Sequence, residues 1–291
     1  MSDFRYQQVG NWLRGNLHIH STASDGGKTV DELTEMYAGQ GYDFCALTDH
    51  WVASDLGARS DDGSLLWLDG VELHGEDSTG AMYHVVCLGS FEEFDRSAGL
   101  LAGMEAARAQ GGLLILAHPQ WMGNSFDDAL RWGFDGVEAY NHVCRWLNGK
   151  GDGRAYWNAM LAHAPQTLGL AVDDAHVRPE HPGWNGGWVV VDTVARTQES
   201  IMQAIRAGRF YSSCGPEFHT IECEGDTVSF TSSPVQFARL VGPAHWGQRV
   251  GAFDGSLLTE WSCSVPETWS YAYLEIEDAQ GRRAWTNSLF V

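Results

Sequence analysis

Residues 17–26 read LHIHSTASDG, and two histidines, His18 and His20, flank a single isoleucine in this stretch. In a β-strand, residues two apart point to the same face, so the imidazole rings are predicted to converge while Leu17 and Ile19 face an apolar layer. Converging imidazoles suit a divalent metal ion, because histidine is a common ligand of zinc, iron and manganese. A half-buried strand whose histidines only form hydrogen bonds would show the same pattern. The rest of the chain must therefore decide between a metal site and such a strand.

From Asn16 to about Gly215, short apolar segments alternate with amphipathic ones. The segment TVDELTEMYAGQG, for example, predicts a helix that is capped by Thr29 or Asp31 and ends near Gly39 or Gly41. About seven strand–helix repeats of this kind predict α/β architecture with a mainly parallel sheet, closed or distorted into a barrel rather than open. In such barrels the functional side chains lie at the C-terminal ends of the strands.

After the segment GRFYSSCGPEF the helical periodicity disappears, and the remaining sequence reads as short strands separated by turn residues. The hexapeptide DAQGRR near the end predicts a hairpin turn. We therefore predict a barrel domain over residues 1–215 and a small all-β domain over residues 216–291.

The composition restricts the classes of partner. With 18 basic and 38 acidic residues, the formal net charge of −20 argues against a surface for nucleic acid or an anionic membrane and favours a small-molecule substrate. The first 15 residues lack the apolar region of a signal peptide, and apolar runs such as LLILA are too short to cross a bilayer. Six scattered cysteines without CxxC pairing indicate reduced thiols. We therefore expect a cytoplasmic protein, whose oligomeric state the sequence leaves open.

Residues that bind metals recur in or just after the predicted strands. They are His18 and His20 in LHIH, Asp49 and His50 in LTDH, Glu72 in GVE, His84 in YHVV, His118 in LAHP, and Asp174 and His176 in VDDAH. Six of the twelve histidines belong to this set. Histidines of a packed core would not favour that one position, whereas the catalytic rim of a barrel would.

The order HxHSxxSDG, TDH, GxE, a later histidine, AHP and a final DAH resembles the PHP family (polymerase and histidinol phosphatase) of metallohydrolases. The segments GNLHIHSTASDG, GRFYSSCGPEF and LEIEDAQGRRAWTN resemble more closely its CehA/McbA-type branch, in which a PHP domain precedes a small β domain. The resemblance covers nearly the whole chain. It implies a distorted (β/α)7 barrel with up to three divalent metal ions, which could be Mn, Fe or Zn.

Carried over position by position, the resemblance implies nine metal ligands. The sets are His18, His20, Glu72 and Asp174 for a first ion, Asp25, His50 and His176 for a second, and the bridging Glu72 with His84 and His118 for a third. One departure concerns Asp173, which stands where the family commonly has serine and leaves Asp173 and Asp174 as alternative ligands. The spacing of Asp174 and His176 favours Asp174, because residues two apart share a face.

These ions determine the expected chemistry. Adjacent divalent ions lower the pKa of a bridging water, supply hydroxide at neutral pH, and neutralise the anionic oxygens of a phosphate ester. His18, His20, Glu72 and Asp174 would be catalytic through this metal-bound hydroxide, and no GxSxG motif offers a covalent nucleophile instead. Arg178 is a candidate for contacting a substrate anion, with a surface salt bridge as its alternative role.

The sequence thus predicts a metal-dependent hydrolase, with a phosphoesterase acting on a small phosphate ester as the leading hypothesis. The alternative keeps the metals but hydrolyses an aryl ester or carbamate, as the CehA resemblance suggests. A non-catalytic metal-binding module is a third hypothesis, against which the complete ligand set argues. Among neighbouring residues, Asp49 is expected to orient His50, and His74 is expected not to bind metal.

Overall fold

The structure is a computed structural model that describes residues 4–6, 11–56 and 64–290. The strands within these ranges are β1 (Asn11–Asn16), β2 (Phe44–Leu47), β3 (Leu66–Glu76), β4 (Met82–Leu88), β5 (Leu113–Leu116), β6 (Gly136–Asn141), β7 (Leu168–Val172), β8 (Trp188–Thr193), β9 (Phe210–Ser213), β10 (Phe218–Glu224), β11 (Thr227–Val235), β12 (Phe237–Val241), β13 (Gly247–Gly251), β14 (Leu258–Ser264), β15 (Tyr273–Glu277) and β16 (Arg283–Thr286). The helices are α1 (Val30–Ala38), α2 (Leu100–Ala109), α3 (Pro119–Met122), α4 (Phe126–Arg131), α5 (His142–Asn148), α6 (Arg154–His163) and α7 (Gln198–Arg206), with one turn of 3₁₀-helix at Arg96–Ala98. None of these helices is long and apolar enough to cross a membrane.

Helix α1 begins where the sequence predicts. The Thr29 side chain accepts from the Glu32 backbone N–H, and the Glu32 carboxylate accepts from the Thr29 N–H in return, which forms a capping box. Leu33 and Tyr37 lie on the buried face of the helix, and Gly39 is its C-terminal cap. The predicted cap at Thr29 is confirmed.

Strands β1 to β7 lie side by side in chain order in one large sheet. The pairs β1–β2, β2–β3, β5–β6 and β6–β7 are parallel, as predicted, whereas β3–β4 and β4–β5 are antiparallel. The antiparallel pair β3–β4 is joined by a short turn from Asp77 to Ala81, which leaves no room for a crossover helix. Beyond β1 and β7, an isolated parallel bridge joins Ile19 to Ala175 and brings the two ends of this series together.

The C-terminal strands continue the same sheet. Strand β16 pairs with β9, and β15, β12 and β13 follow it, so the sheet has 13 strands, while β10, β11 and β14 form a second sheet. Residues 216–290 contain no helix, which agrees with their predicted all-β character, and β15–β16 is the hairpin predicted at DAQGRR. The division near Pro216 stays a prediction, since strand pairing runs across it.

The central strands are buried on both faces. Every residue of β2, β5, β7 and β8 is buried, as expected for strands covered on both sides. The parallel strands share one direction, so the segments that follow β1, β2, β6 and β7 emerge at the same edge of the sheet. Most of the predicted ligands lie at that edge.

Candidate metal centre

His18 and His20 follow strand β1 instead of lying within it. The strand itself is the polar-looking stretch NWLRGN, which ends at Asn16. The chain stays extended beyond this point, because the His20 N–H donates to the Ala175 carbonyl and the Ala175 N–H donates to the His18 carbonyl. Ile19 is fully buried between the two histidines, so the alternation predicted from LHIH is present.

Four donor atoms from three regions of the chain surround one point. His18 Nε2 and His20 Nε2 are 3.0 Å apart, and each lies 3.2 Å from Glu72 Oε2. Asp174 Oδ1 lies 3.3 Å from His18 Nε2 and 3.2 Å from His20 Nε2. Atoms separated in this way surround a centre about 2 Å from each, the distance at which zinc binds imidazole nitrogen and carboxylate oxygen. All four side chains are buried, so donor type, spacing and burial fit a metal ion.

Glu72 is shared between groups. Its Oε2 also lies 3.1 Å from His50 Nδ1, while its Oε1 lies 2.9 Å from His84 Nδ1 and 3.3 Å from His118 Nε2. A carboxylate whose two oxygens face different histidines is suited to bridge two metal ions. This agrees with the bridging role that the family resemblance implies.

Asp25 lies at the more open side of the cluster, where 38% of its side chain is exposed. Its Oδ2 is 3.2 Å from His176 Nε2, and its Oδ1 is 3.8 Å from His20 Nδ1 and 3.9 Å from His50 Nε2. The loop that carries Asp25 returns so closely to His20 that a Cβ at Gly26 would lie 2.3 Å from the His20 carbonyl oxygen. Glycine is therefore needed at position 26 to bring Asp25 to the histidines.

Eight of the nine predicted ligands fall into three groups whose donor atoms lie within 4.8 Å of one another. The groups are His18, His20, Glu72 and Asp174; His20, Asp25, His50 and His176; and His50, Glu72 and His84. His118, the ninth, contacts Glu72 Oε1 as described above. Two ring nitrogens, His20 Nδ1 and His118 Nδ1, are buried and lack a hydrogen-bond partner among the described residues. The cluster thus holds donors that protein hydrogen bonds do not satisfy.

Opposite charges in the cluster shift its pKa values strongly. Burial disfavours protonated imidazole, but the carboxylates of Asp174 and Glu72 outweigh this effect and raise the pKa of His18 well above its usual range and that of His20 to about 9. Burial similarly disfavours ionised carboxyls, and the surrounding histidines nevertheless lower the pKa of Glu72 and Asp174. Burial lowers the pKa of His50 to about 4, which favours the neutral form that binds metals.

The structure separates the roles of Asp173 and Asp174. The Asp173 carboxylate is fully buried and accepts from the Tyr37 hydroxyl and from the backbone N–H groups of Asn185, Gly186 and Gly187. Its two oxygens thus accept four hydrogen bonds, none of them from a predicted ligand. The Asp174 backbone has a φ of 58°, which turns its carboxylate towards His18 and His20. The prediction of Asp174 over Asp173 agrees with this geometry.

Backbone strain is concentrated at this cluster. Among the residues that the structure describes, six non-glycine residues have positive φ, and four of them, Trp51, His118, Asp174 and Val177, are predicted ligands or their immediate neighbours. Such conformations cost about 1–3 kcal/mol each and persist where the surroundings enforce them, often at functional sites. The strain is independent support for a functional site here.

Sequence reasoning missed Glu138 in β6. Its Oε1 accepts from His18 Nδ1 at 2.5 Å, and its Oε2 accepts from the His118 backbone N–H and from Asn141 Nδ2, both at 2.8 Å. The Asn141 amide also contacts Asp174 Oδ2 at 3.2 Å. The tripeptide GVE occurs at both Glu72 and Glu138, and this repetition was a signal that could have revealed the residue.

The expectation that Asp49 orients His50 is wrong. Asp49 accepts from the Ser21 N–H and hydroxyl and from the Ser24 hydroxyl, and so holds the loop that leads to Asp25. His74 belongs to none of the three groups; its Nδ1 lies 3.1 Å from His50 Nδ1.

Arg178 and Trp121 lie beside the cluster. One guanidinium nitrogen of Arg178 donates to the Asp25 carbonyl at 2.9 Å, and another lies 3.7 Å from Asp25 Oδ2. The Trp121 ring lies 5.3 Å from His118 and 6.3 Å from His84 between centroids, so it forms an aromatic wall. Contact of Arg178 with a substrate anion stays a prediction.

No family model and no curated protein matches the sequence. Among solved structures, a two-domain protein from Bacteroides vulgatus, described as containing a predicted PHP-like metal-dependent phosphoesterase, matches over 99% of this chain and 98% of its own, with 14% identity and a TM-score of 0.57. An amidohydrolase from Chromobacterium violaceum matches over 67% of this chain and 96% of its own, with 17% identity and a TM-score of 0.44. The CehA/McbA branch stays a prediction. The protein shares the fold of a two-domain PHP-like protein, which confirms the predicted resemblance at the level of the fold.

Proposed function

We propose that the protein is a metal-dependent hydrolase with a centre of three divalent ions, Mn, Fe or Zn, held by the nine predicted ligands. The observation that carries this proposal is the set of four donor atoms around one point, linked through Glu72 to further histidines. The bridge between Ile19 and Ala175 supports closure of β1–β7 as the distorted (β/α)7 barrel of residues 1–215.

We further propose a small phosphate ester as the substrate. Bound divalent ions would activate water and neutralise the phosphoryl oxygens. The chain supplies the remaining functions: Glu138 orients His18, Trp121 forms a wall, and Arg178 beside Asp25 offers a guanidinium to a substrate anion. The six cysteines are unpaired thiols, which supports the proposal of a reducing, cytoplasmic location.

The proposal is tested by a hydrolysis panel on Mn²⁺-loaded protein. p-Nitrophenyl phosphate and small nucleotides are compared with naphthyl esters and carbamates, with and without chelator. We expect phosphate release that the chelator abolishes. Turnover of the carbon esters without phosphate release would instead identify an aryl ester or carbamate hydrolase.

The site assignment needs matched variants in the same panel. His20→Ala should abolish turnover and release metal, whereas His163→Ala, an exposed histidine near the end of α6, should change neither. Metal content is measured by elemental analysis beside activity, and folding by thermal unfolding. Unchanged turnover of His20→Ala at full metal loading would overturn the assignment.

A further inference from the structure

A second cavity, of about 490 Å³, lies apart from the metal centre. Helices α5 and α6, the β15–β16 hairpin and the loop before β8 contribute its walls. Within the part of the chain that the structure describes, none of the nine predicted metal ligands lines it. The cavity therefore needs an explanation of its own.

Arginines are concentrated around this cavity. Four arginines line it, Arg145, Arg154, Arg282 and Arg283, and Asp152 is the only carboxylate among its described lining residues. The whole chain has 18 basic residues, so four arginines at one cavity are a local concentration of guanidinium groups, three of which are paired with carboxylates. Arginine is the side chain best suited to bind phosphate or carboxylate through paired N–H donors.

Carboxylates in and around the cavity wall pair with three of these arginines. Arg154 binds both oxygens of Asp152, at 2.9 and 2.5 Å, and Arg282 Nε donates to Asp278 at 2.7 Å. Arg154 and Arg283 each bring a guanidinium nitrogen to 3.5 Å from the same oxygen of Glu275, a residue only 6% exposed. Two guanidinium groups therefore converge on one point from different elements, and less side-chain freedom remains to be lost when a ligand binds.

Uncharged donors also face the cavity. The Trp188 side chain lines it and is 8% exposed, and its indole N–H has no hydrogen-bond partner among the residues that the structure describes. Helix α6 begins at the cavity, where the N–H of its first residue, Arg154, donates to Asp152 Oδ1 at 3.1 Å. A buried donor without a partner is costly, and an anionic acceptor would satisfy it.

We propose that this cavity is a second binding site, which takes a small molecule bearing an oxyanion, phosphate or carboxylate. The site does not depend on the proposed hydrolase activity. The loop at Asn185 and Gly186 lines the cavity, and its N–H groups donate to Asp173, which precedes the predicted ligand Asp174 in the sequence.

Isothermal titration of the full, metal-loaded chain with inorganic phosphate and with citrate tests the proposal. We expect saturable binding that persists in His20→Ala, since phosphate bound at the metal centre would be lost from that variant. Arg145→Gln and Arg282→Gln, both at exposed arginines, should each weaken binding at least tenfold, whereas Arg249→Gln on the exposed strand β13 should not. Thermal unfolding checks that each variant is folded.

The two anions distinguish the source of the ligand. Binding of phosphate alone would identify a phosphorylated ligand, and binding of citrate alone would identify a polycarboxylate. If neither anion bound to the folded wild-type chain, or if both arginine variants bound it as tightly as the wild type, the proposal would be overturned.

Discussion

The Glu72 carboxylate links the histidines of the cluster to one another. It contacts five histidines that come from four separate segments of the chain, and it is almost fully buried. A buried carboxylate is stable only when positive charge or hydrogen-bond donors surround it. The histidines around Glu72 therefore serve stability as well as metal binding.

Glu138 acts on the centre through His18, and its replacement should show this. In Glu138→Gln the amide can turn its NH₂ towards His18 Nδ1 and donate a hydrogen bond to it. This favours the tautomer whose proton is on Nε2, the nitrogen that faces the donor cluster, and so removes the lone pair that would bind metal. Loss of such a partner typically costs 10–100-fold in metal affinity or activity, and we expect a decrease of that size in metal affinity. Competition with a fluorescent chelator measures it, with the exposed Glu105→Gln as control. Equal affinities for the two variants would contradict the positioning role.

Asp173 and Asp174 should differ in what their replacement removes. Asp173→Asn places an amide NH₂ against donors and should lower the free energy of unfolding by about 2–3 kcal/mol while the bound metal is kept. Asp174→Asn should lose metal, since a neutral amide is a poor ligand. Denaturant unfolding and elemental analysis measure both effects. Metal loss from Asp173→Asn with retention in Asp174→Asn would reverse the assignment.

At the scale of elements, the turn between β3 and β4 is tied to helix α4. Asp77 Oδ1 accepts from the Thr79 N–H and hydroxyl and from the Ala81 N–H, while Oδ2 accepts from Arg131 and from the Trp132 indole. Burial alone would raise the pKa of Asp77, but the bonds from Thr79 and Arg131 outweigh it and lower the pKa below its usual value of 3.8. This turn joins β3 to β4 as an antiparallel pair, in which His74 lies opposite His84 and Glu72, two residues earlier, reaches His84 Nδ1 with its Oε1.

Asp77 should therefore contribute pH-dependent stability. A carboxyl whose folded pKa is depressed stabilises the fold above its unfolded pKa, and this contribution disappears as the pH falls through the folded value. At pH 7 the thermal unfolding midpoint of the wild type should be higher than that of Asp77→Asn. The difference between the two midpoints should shrink below about pH 4. Thermal unfolding between pH 7 and pH 3 measures it. A difference that stayed constant or grew on acidification would refute this role.

At the scale of the whole molecule, the C-terminal strands are packed into the first two thirds of the chain. The Asn287 amide accepts from the Gly169 N–H and donates to the carbonyls of Gly208 and Phe210, and the Trp285 indole donates to the Gly169 carbonyl. The fully buried Trp157 packs on Tyr273, with ring centroids 4.6 Å apart. The beginning of β7, the strand that leads to Asp174, thus contacts residues beyond position 216.

A chain ending at Gly215 should consequently not fold cooperatively. It would expose Trp157 and leave Gly169 without its partners, so we expect binding of a hydrophobic dye and no sharp thermal transition. Asn287→Ala in the full chain removes only the Asn287 hydrogen bonds and should lower the free energy of unfolding by about 1–3 kcal/mol. A truncated chain with the thermal midpoint of the full protein would establish residues 1–215 as an independent domain.

Local features were predictable because they depend on near neighbours. The cap at Thr29 needs only Glu32, three residues away, and the β15–β16 hairpin needs only its turn. The position of β1 was harder to predict, because NWLRGN has no strand-like alternation. The bounds of this strand depend on its pairing with β8. The repeated GVE marks Glu138 as similar to Glu72, but its contact with His18, 120 residues away, exists only in the folded chain.

The sequence by itself determined which donor types the chain carries, their order, and the alternation that points His18 and His20 the same way. The tertiary structure decided which atoms meet: which oxygen of Glu72 faces which histidine, that Glu138 supports His18, and that Asp174 faces the cluster while Asp173 holds the loop at Gly186. The physical reason is that alternation is a property of consecutive residues. Contacts among positions as distant as 18, 72, 138 and 174 exist only after the sheet has brought its strand ends to one edge.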